Sequence, residues 1–91
     1  STMAYTMIET KYLGATNHRG SRIVARRNHR RVIIAYNPGK TPLANHSGAA
    51  MILADEMTTK GRWIAADKHD GDGMVFVLIA DGMEPAGFTT E

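Results

Sequence analysis

The alternation of apolar and polar residues is cleanest between Arg22 and Tyr36. Two apolar-rich runs, Ile23 to Ala25 and Val32 to Ala35, flank Asn28-His29. Asn tolerates positive φ, so this spacing predicts a hairpin with a two-residue turn at Asn28-His29. Such a turn pairs Arg27 with Arg30, Arg26 with Arg31, Ala25 with Val32, Val24 with Ile33, Ile23 with Ile34 and Arg22 with Ala35. One face then carries Ile23, Ala25, Val32 and Ile34, which is a core face, while the other carries Arg22, Val24, Arg26, Arg31, Ile33 and Ala35. The side-chain period is two, so a slip of one residue would bury the arginines; the apolar pattern therefore fixes the side they occupy.

The remaining elements follow from the same reading. Tyr5 to Leu13 has strand composition with a mixed pattern: Tyr5, Met7, Glu9, Lys11 and Leu13 on one face, Thr6, Ile8, Thr10 and Tyr12 on the other. That mixture is expected of an edge strand. Gly14 to Gly20 reads as a loop. Asn37-Pro38-Gly39 has Pro at the second and Gly at the third position of a type II turn. Thr41-Pro42 then predicts a helix cap and a first-turn proline, with Asn45 as an alternative start. The helix is expected to run to about Thr59 with an apolar stripe of Leu43, Ala50, Leu53, Ala54 and Met57, Lys60 beside its C-terminal dipole and Gly61 as its C′ residue. Arg62–Asp67 and Met74–Asp81 are expected strands joined by Lys68 to Gly73, with Trp63 as a core anchor. The second is apolar almost throughout, which predicts a central strand covered on both faces.

The order β-β-β-α-β-β implies an α+β domain, a mainly antiparallel sheet with one helix packed across one face. Residues 1–4 read as a disordered N-terminus or an appended remnant ahead of Met3, residues 5–81 as the single domain, and residues 82–91 as a loose tail pinned by Phe88. A chain of 91 residues is the size of one domain with a modest core.

Charge changes the picture more than size does. The net charge of +2 conceals eight Lys or Arg against one acid in residues 1–40, and three against eight in residues 41–91. Six of those cations are arginines between His18 and Arg31. A guanidinium offers a planar fork suited to phosphate, so this density points to a polyanion partner. Tyr12 or Tyr36 would add base stacking if exposed. With no cysteine, disulfide and thiol chemistry are excluded. No apolar run reaches the roughly 20 residues of a membrane helix, and the N-terminus lacks signal-peptide order, so a cytoplasmic location is expected.

Other chemistry is weaker. Asn37 to Thr41 follows a strand and precedes a helix, but a phosphate loop would need glycine where Ile34 stands. Asp67, His69, Asp70 and Asp72 fall within six residues, yet the later ligands of a calcium loop are missing and a hairpin loop favours the same residue types. No metal or cofactor is therefore expected. His46 and Ser47 are adjacent on the predicted helix and diverge, so they make no nucleophile–base pair, and His46 is expected to bond locally near the helix start. Enzymatic activity is not expected.

The stretch Lys11-Tyr-Leu-Gly-Ala-Thr-Asn-His-Arg-Gly-Ser-Arg-Ile23 resembles a segment of small uncharacterised proteins of bacteriophages and other bacterial mobile elements, K-Y-L-G-x-T-N-x-R-G-S-R-I. The pieces Asn45 to Ala50, Gly61 to Trp63 and Gly73 to Val77 are similar as well, whereas Arg26, Arg27, Arg30 and Arg31 depart from the pattern. The resemblance implies a phage or mobile-element accessory protein acting in the bacterial cytoplasm and makes Thr16, Asn17, Arg19, Gly20, Ser21 and Arg22 a motif to test. Together these readings give a non-enzymatic module binding nucleic acid, DNA or RNA, through Asn17, Arg19, Ser21, Arg22, Arg26, Arg27, Arg30 and Arg31. The alternatives are a protein-binding factor that inhibits or modulates an acidic host defence or regulatory protein, and a homodimer in which the basic half of one copy meets the acidic half of another.

Overall fold

The computed structural model describes residues 6–59, 61–68, 71, 73–79 and 90. Their elements run β1 (Met7–Leu13), β2 (Arg22–Arg27), β3 (Arg30–Ala35), α1 (Pro42–Glu56), β4 (Arg62–Asp67) and β5 (Gly73–Ile79). All five strands pair antiparallel in one sheet of order β3-β2-β1-β5-β4. The α+β architecture and the order of elements are those the sequence predicts. The expectations for residues 1–5, Lys60 and residues 80–89 lie outside the described residues.

The hairpin has the predicted register throughout, from Arg22 opposite Ala35 to Arg27 opposite Arg30, and Asn28 takes φ 55° in its turn. Ile23 and Ala25 are fully buried and Val32 and Ile34 pack against them. Helix α1 lies over β1, β2 and β3. Its inner residues Ala49, Ala50, Leu53 and Ala54 close the core with Ile8, Ile23, Ala25 and Phe76. The small alanines let the helix backbone come close to the sheet, and Leu53 fills the space between them.

Helix α1 starts at Thr41, whose hydroxyl accepts from the Ala44 N–H at 3.1 Å, with Pro42 in the first turn. Asn45, the alternative start, is instead a buried anchor. Its amide accepts from the Asn37 N–H at 2.7 Å and donates to the Asn37 and Thr41 carbonyls at 2.9 and 3.0 Å, fixing the connection between β3 and the helix.

Several expectations are corrected. Strand β1 is the middle strand and not an edge, while β5 is interior as expected, paired with β1 and β4. The mixed pattern of β1 arises because a polar residue, Thr10, is buried with a matched partner. Nor is β5 covered on both faces by the described residues: α1 lies on one face only, and Val75, Val77 and Ile79 are half-buried on the other. The Asn37–Lys40 turn keeps its 3.0 Å bond from the Lys40 N–H to the Asn37 carbonyl, but Gly39 is not at positive φ, so it is not type II. Leu43 is 49% exposed and leaves the core stripe to Asn45, His46 and Ala49. Trp63 is half-buried at the margin of the core.

The helix also ends earlier than Thr59. Thr58 takes φ 52°, and the Thr58 and Thr59 N–H groups bond back to the Asp55 and Ala54 carbonyls, both at 3.1 Å. This is the reversed-bond pattern of a left-handed C-terminal cap, formed here by threonine in place of Gly61. The Thr59 hydroxyl adds a second bond to the Ala54 carbonyl at 3.1 Å. Gly61 has another reason to lack a side chain: a Cβ there would sit 2.6 Å from Leu78 Cδ1.

Candidate nucleic-acid interface

Strand period and register decide which cations share a surface. On the face away from α1, Arg26 lies between Arg31 of β3 and Glu9 of β1, and Lys11 is opposite Val24, itself opposite Ile33. Arg22 stands on the same face between Leu13 and Ala35. Lys11, Arg26 and Arg31 line an open hollow of about 260 Å³ with a floor that includes Val24 and Ile33. Glu9 pairs with Lys68 at 3.3 Å, which withdraws the nearest carboxylate from the arginines. Among the described residues no carboxylate is within ion-pair distance of Lys11, Arg22, Arg26 or Arg31. The Arg22 Nε–H is buried without an acceptor, a costly state for a charged group's donor.

The other arginines are placed differently. Arg27 and Arg30 project from the face that carries the helix. The Arg27 Nη1 donates to the Met7 carbonyl and the Arg30 Nη1 to the Glu56 carbonyl, each at 3.0 Å. Arg30 therefore satisfies an orphan carbonyl at the negative end of α1 and brings a cation there. Arg19 and Asn17 lie exposed in the loop between β1 and β2. That loop joins the Arg22 end of the hairpin, about 17 Å along a six-residue strand from the Arg27 end. The eight residues singled out by sequence thus fall at two ends of the sheet and on two faces, with Arg22, Arg26 and Arg31 bridging the ends along the open face.

Loop geometry rests on a residue not included in that set. The Thr16 hydroxyl accepts from the His18 and Arg19 N–H groups at 3.3 and 3.1 Å, and the Thr16 N–H donates to the Arg19 carbonyl at 2.7 Å. The Asn17 side chain makes no hydrogen bond. Ser21 is held by Tyr12, whose hydroxyl donates to Ser21 Oγ at 2.9 Å. Lys11 and Lys68 were also missed; pairing β1 with β2 in the register of the hairpin is the step that would have placed Lys11 on the basic face.

One buried polar pair lies beneath the helix. Thr10 Oγ1 and His46 Nδ1 are 2.7 Å apart, and the Thr10 hydroxyl lies 3.4 Å from the Met74 carbonyl. His46 thus bonds across to β1 and not locally. Ser47 lies at the mouth of a different cavity, between α1 and β4, so the two neighbours diverge as expected. Burial holds the His46 pKa below its usual 6.5, against an opposing pull from the Asp67 carboxylate. The sign follows directly. Below pH 6.5 the unfolded chain binds a proton that folded His46 refuses, so stability falls as pH drops from 6.5 toward the lower folded value. Urea unfolding at about pH 7.5 and pH 5.5 should show this loss, with a slope of up to about 1.4 kcal/mol per pH unit from this group. His46→Gln should remove that share of the slope; an unchanged slope would refute the assignment.

Of the acidic cluster considered for a metal, Asp67 is exposed on β4 and His69, Asp70 and Asp72 lie outside the described residues. Among the described residues no group of three or more metal-ligating side chains occurs. No described helix is long and apolar enough to cross a membrane. No protein-family model matches this chain, nor does any curated protein or solved structure.

Proposed function

We propose that this chain is a small non-enzymatic accessory protein, of phage or mobile-element origin and acting in the bacterial cytoplasm, that binds nucleic acid through the open face of its sheet. The observation that carries the reading is the grouping of Lys11, Arg22, Arg26 and Arg31 on one solvent-facing surface without carboxylate partners. Two arginines directly opposite each other repel across the ladder, and a phosphate between them removes that repulsion. Arg19 extends the surface at the loop end. Arg27 and Arg30 retain free donors beyond the one each gives to a backbone carbonyl, and they guide the strand at the hairpin tip. Contacts of this type follow the backbone, so binding is weakly sequence-selective.

Fluorescence anisotropy with labelled single- and double-stranded DNA and RNA across a salt series tests the reading. The four open-face cations alone predict that log K falls against log salt with a slope of about −3, and any contact by Arg19, Arg27 or Arg30 steepens it. No binding to any of the four probes at about 50 mM salt, where phosphate contacts are strong, would sink it. One observation favours the protein-binding alternative. Edge strand β4 and α1 bound an apolar cavity of about 670 Å³ with Leu43, Met51, Trp63 and Phe76 in its walls, and Met51 is 64% exposed. If the anisotropy experiment fails, a host protein seated there becomes the leading account.

A further inference from the structure

The Arg22 end of the sheet gathers three connections: the loop from β1 to β2, the turn from β3 to α1, and the turn from β4 to β5. They bring the exposed Arg19 and Lys40 to this end of the sheet. At the same end, on the α1 face, is a cavity of about 240 Å³ lined by Tyr12, Tyr36, Pro42, His46 and Gly71. Its walls are mostly rings. Tyr12 and Tyr36 meet edge to face, with centroids 5.2 Å apart and planes at 83°. Tyr12 is 39% exposed, so one wall is accessible from solvent. His46, a lining residue, is only 5% exposed; its Nδ1 is taken by Thr10, while its Nε2 makes no hydrogen bond within the protein.

The imidazole Nε2 makes no hydrogen bond within the protein and is not one of its buried unmatched atoms, so it keeps access to solvent and is open to a partner from outside. The volume selects the size of that partner. It lies below the roughly 300 Å³ at which drug-sized ligand pockets begin, so it suits one planar ring. Aromatic walls that include an imidazole are the chemistry of a heteroaromatic ring with hydrogen-bonding edges. Arg19 and Lys40, exposed in the loops at the same end, carry the charge that suits the phosphate on which such a ring is carried.

Resting on the nucleic-acid reading above, we propose that the Tyr12–Tyr36–His46 cavity seats one unpaired base of a single strand, whose phosphates pass Arg19 at the end of the sheet and turn over that end onto the opposite, open face, along Arg22, Arg26 and Arg31. A base in a duplex has its faces stacked and its edge paired, so it cannot enter; the cavity therefore makes the protein selective for single strands or for a splayed base. The Tyr12 ring offers the base a stacking or edge contact, and His46 Nε2 reads an atom on its edge.

The test uses labelled strands of about 12 nucleotides, within the range of single-strand site sizes: a mixed-sequence DNA, the RNA of the same sequence, and a DNA backbone of tetrahydrofuran units without bases. The DNA or the RNA is expected to bind about five- to a hundred-fold more tightly than the base-free backbone, and whichever does so names the sugar. Tyr12→Leu, at a half-exposed position, should erase that difference while leaving the salt slope unchanged. The His46 Nε2 resonance should shift on adding the base-bearing strand and stay fixed with the base-free one. Equal affinity for strands with and without bases overturns the cavity assignment and leaves the basic face standing. No binding by any strand overturns both.

Discussion

Replacing Arg26 and Arg31 together by alanine is expected to weaken nucleic-acid binding by roughly ten- to a hundred-fold at low salt and to flatten the salt slope by about 1.5, because each lost phosphate contact removes about 0.7 to 0.9 from it. The same double variant should unfold at an equal or slightly higher urea concentration than the wild type. The two guanidinium groups are cross-strand neighbours on an open face, and like charges in that position destabilise a sheet. Their removal leaves no buried acceptor unmatched, since neither makes a hydrogen bond to the rest of the protein. Arg27→Ala and Arg30→Ala behave in the opposite way. Each deletes a donor to a backbone carbonyl, of Met7 or Glu56, so each should cost stability of about 1 kcal/mol, the scale of a single hydrogen bond. The contrast separates arginines that make no hydrogen bond within the protein from arginines that are bonded into the fold. A double variant that binds as tightly as the wild type, with an unchanged slope, would remove the open face from the interface.

This contrast shows where the sequence was legible. The β2–β3 hairpin could be read to the residue because both strands alternate cleanly and Asn28 supplies the positive φ of the turn. The same alternation separates Arg26 and Arg31 from Arg27 and Arg30, although the four sit within six positions of the chain. Density along a sequence is therefore a poor measure of density on a surface when the intervening structure has period two. Strand β1 was misplaced at an edge because Thr10 interrupts its apolar face. Thr10 is 1% exposed and tolerates burial through His46, 36 residues away, and the Met74 carbonyl, and a local window has no access to such distant partners. Strand β5 erred the other way. Its apolar run suggested cover on both faces, but Val75 and Val77 sit beside Glu9 and Met7 on the open side. The early stop of α1 was hidden by chemistry: a β-branched threonine at φ 52° contradicts the residue preference on which the expectation of Gly61 was based.

Gly73→Ala is expected to be the most damaging small substitution in the described chain. Gly73 opens β5 opposite Lys11, and a Cβ there would collide with the carbonyl oxygen of Thr10 and press on Lys68 Cδ at 3.1 Å. Lysine methylenes can swing aside, but the Thr10 backbone cannot. It belongs to the middle strand, and its own side chain is fixed beneath the helix by His46 at 2.7 Å. Relief requires β5 to move away from β1, which would strain the close of the β4–β5 turn, where the Lys68 N–H donates to the Gly73 carbonyl at 3.1 Å. Overpacking against rigid neighbours typically costs about 1–3 kcal/mol and more where backbone must shift. A domain of this length has a total stability of the order of 5–14 kcal/mol, so a loss of about 3 kcal/mol would lower the urea midpoint substantially. Two other glycines calibrate the result. Gly20→Ala meets no atom within 4 Å and should be near neutral, while Gly71→Ala also has space but must adopt φ +80°, a purely backbone cost of about 1 kcal/mol. If Gly73→Ala unfolds with a midpoint close to that of Gly20→Ala, the β1–β5 junction has room to widen. The rim of the Tyr12–Tyr36–His46 cavity, which Gly71 closes from the same turn, would then be less firmly held than this geometry requires.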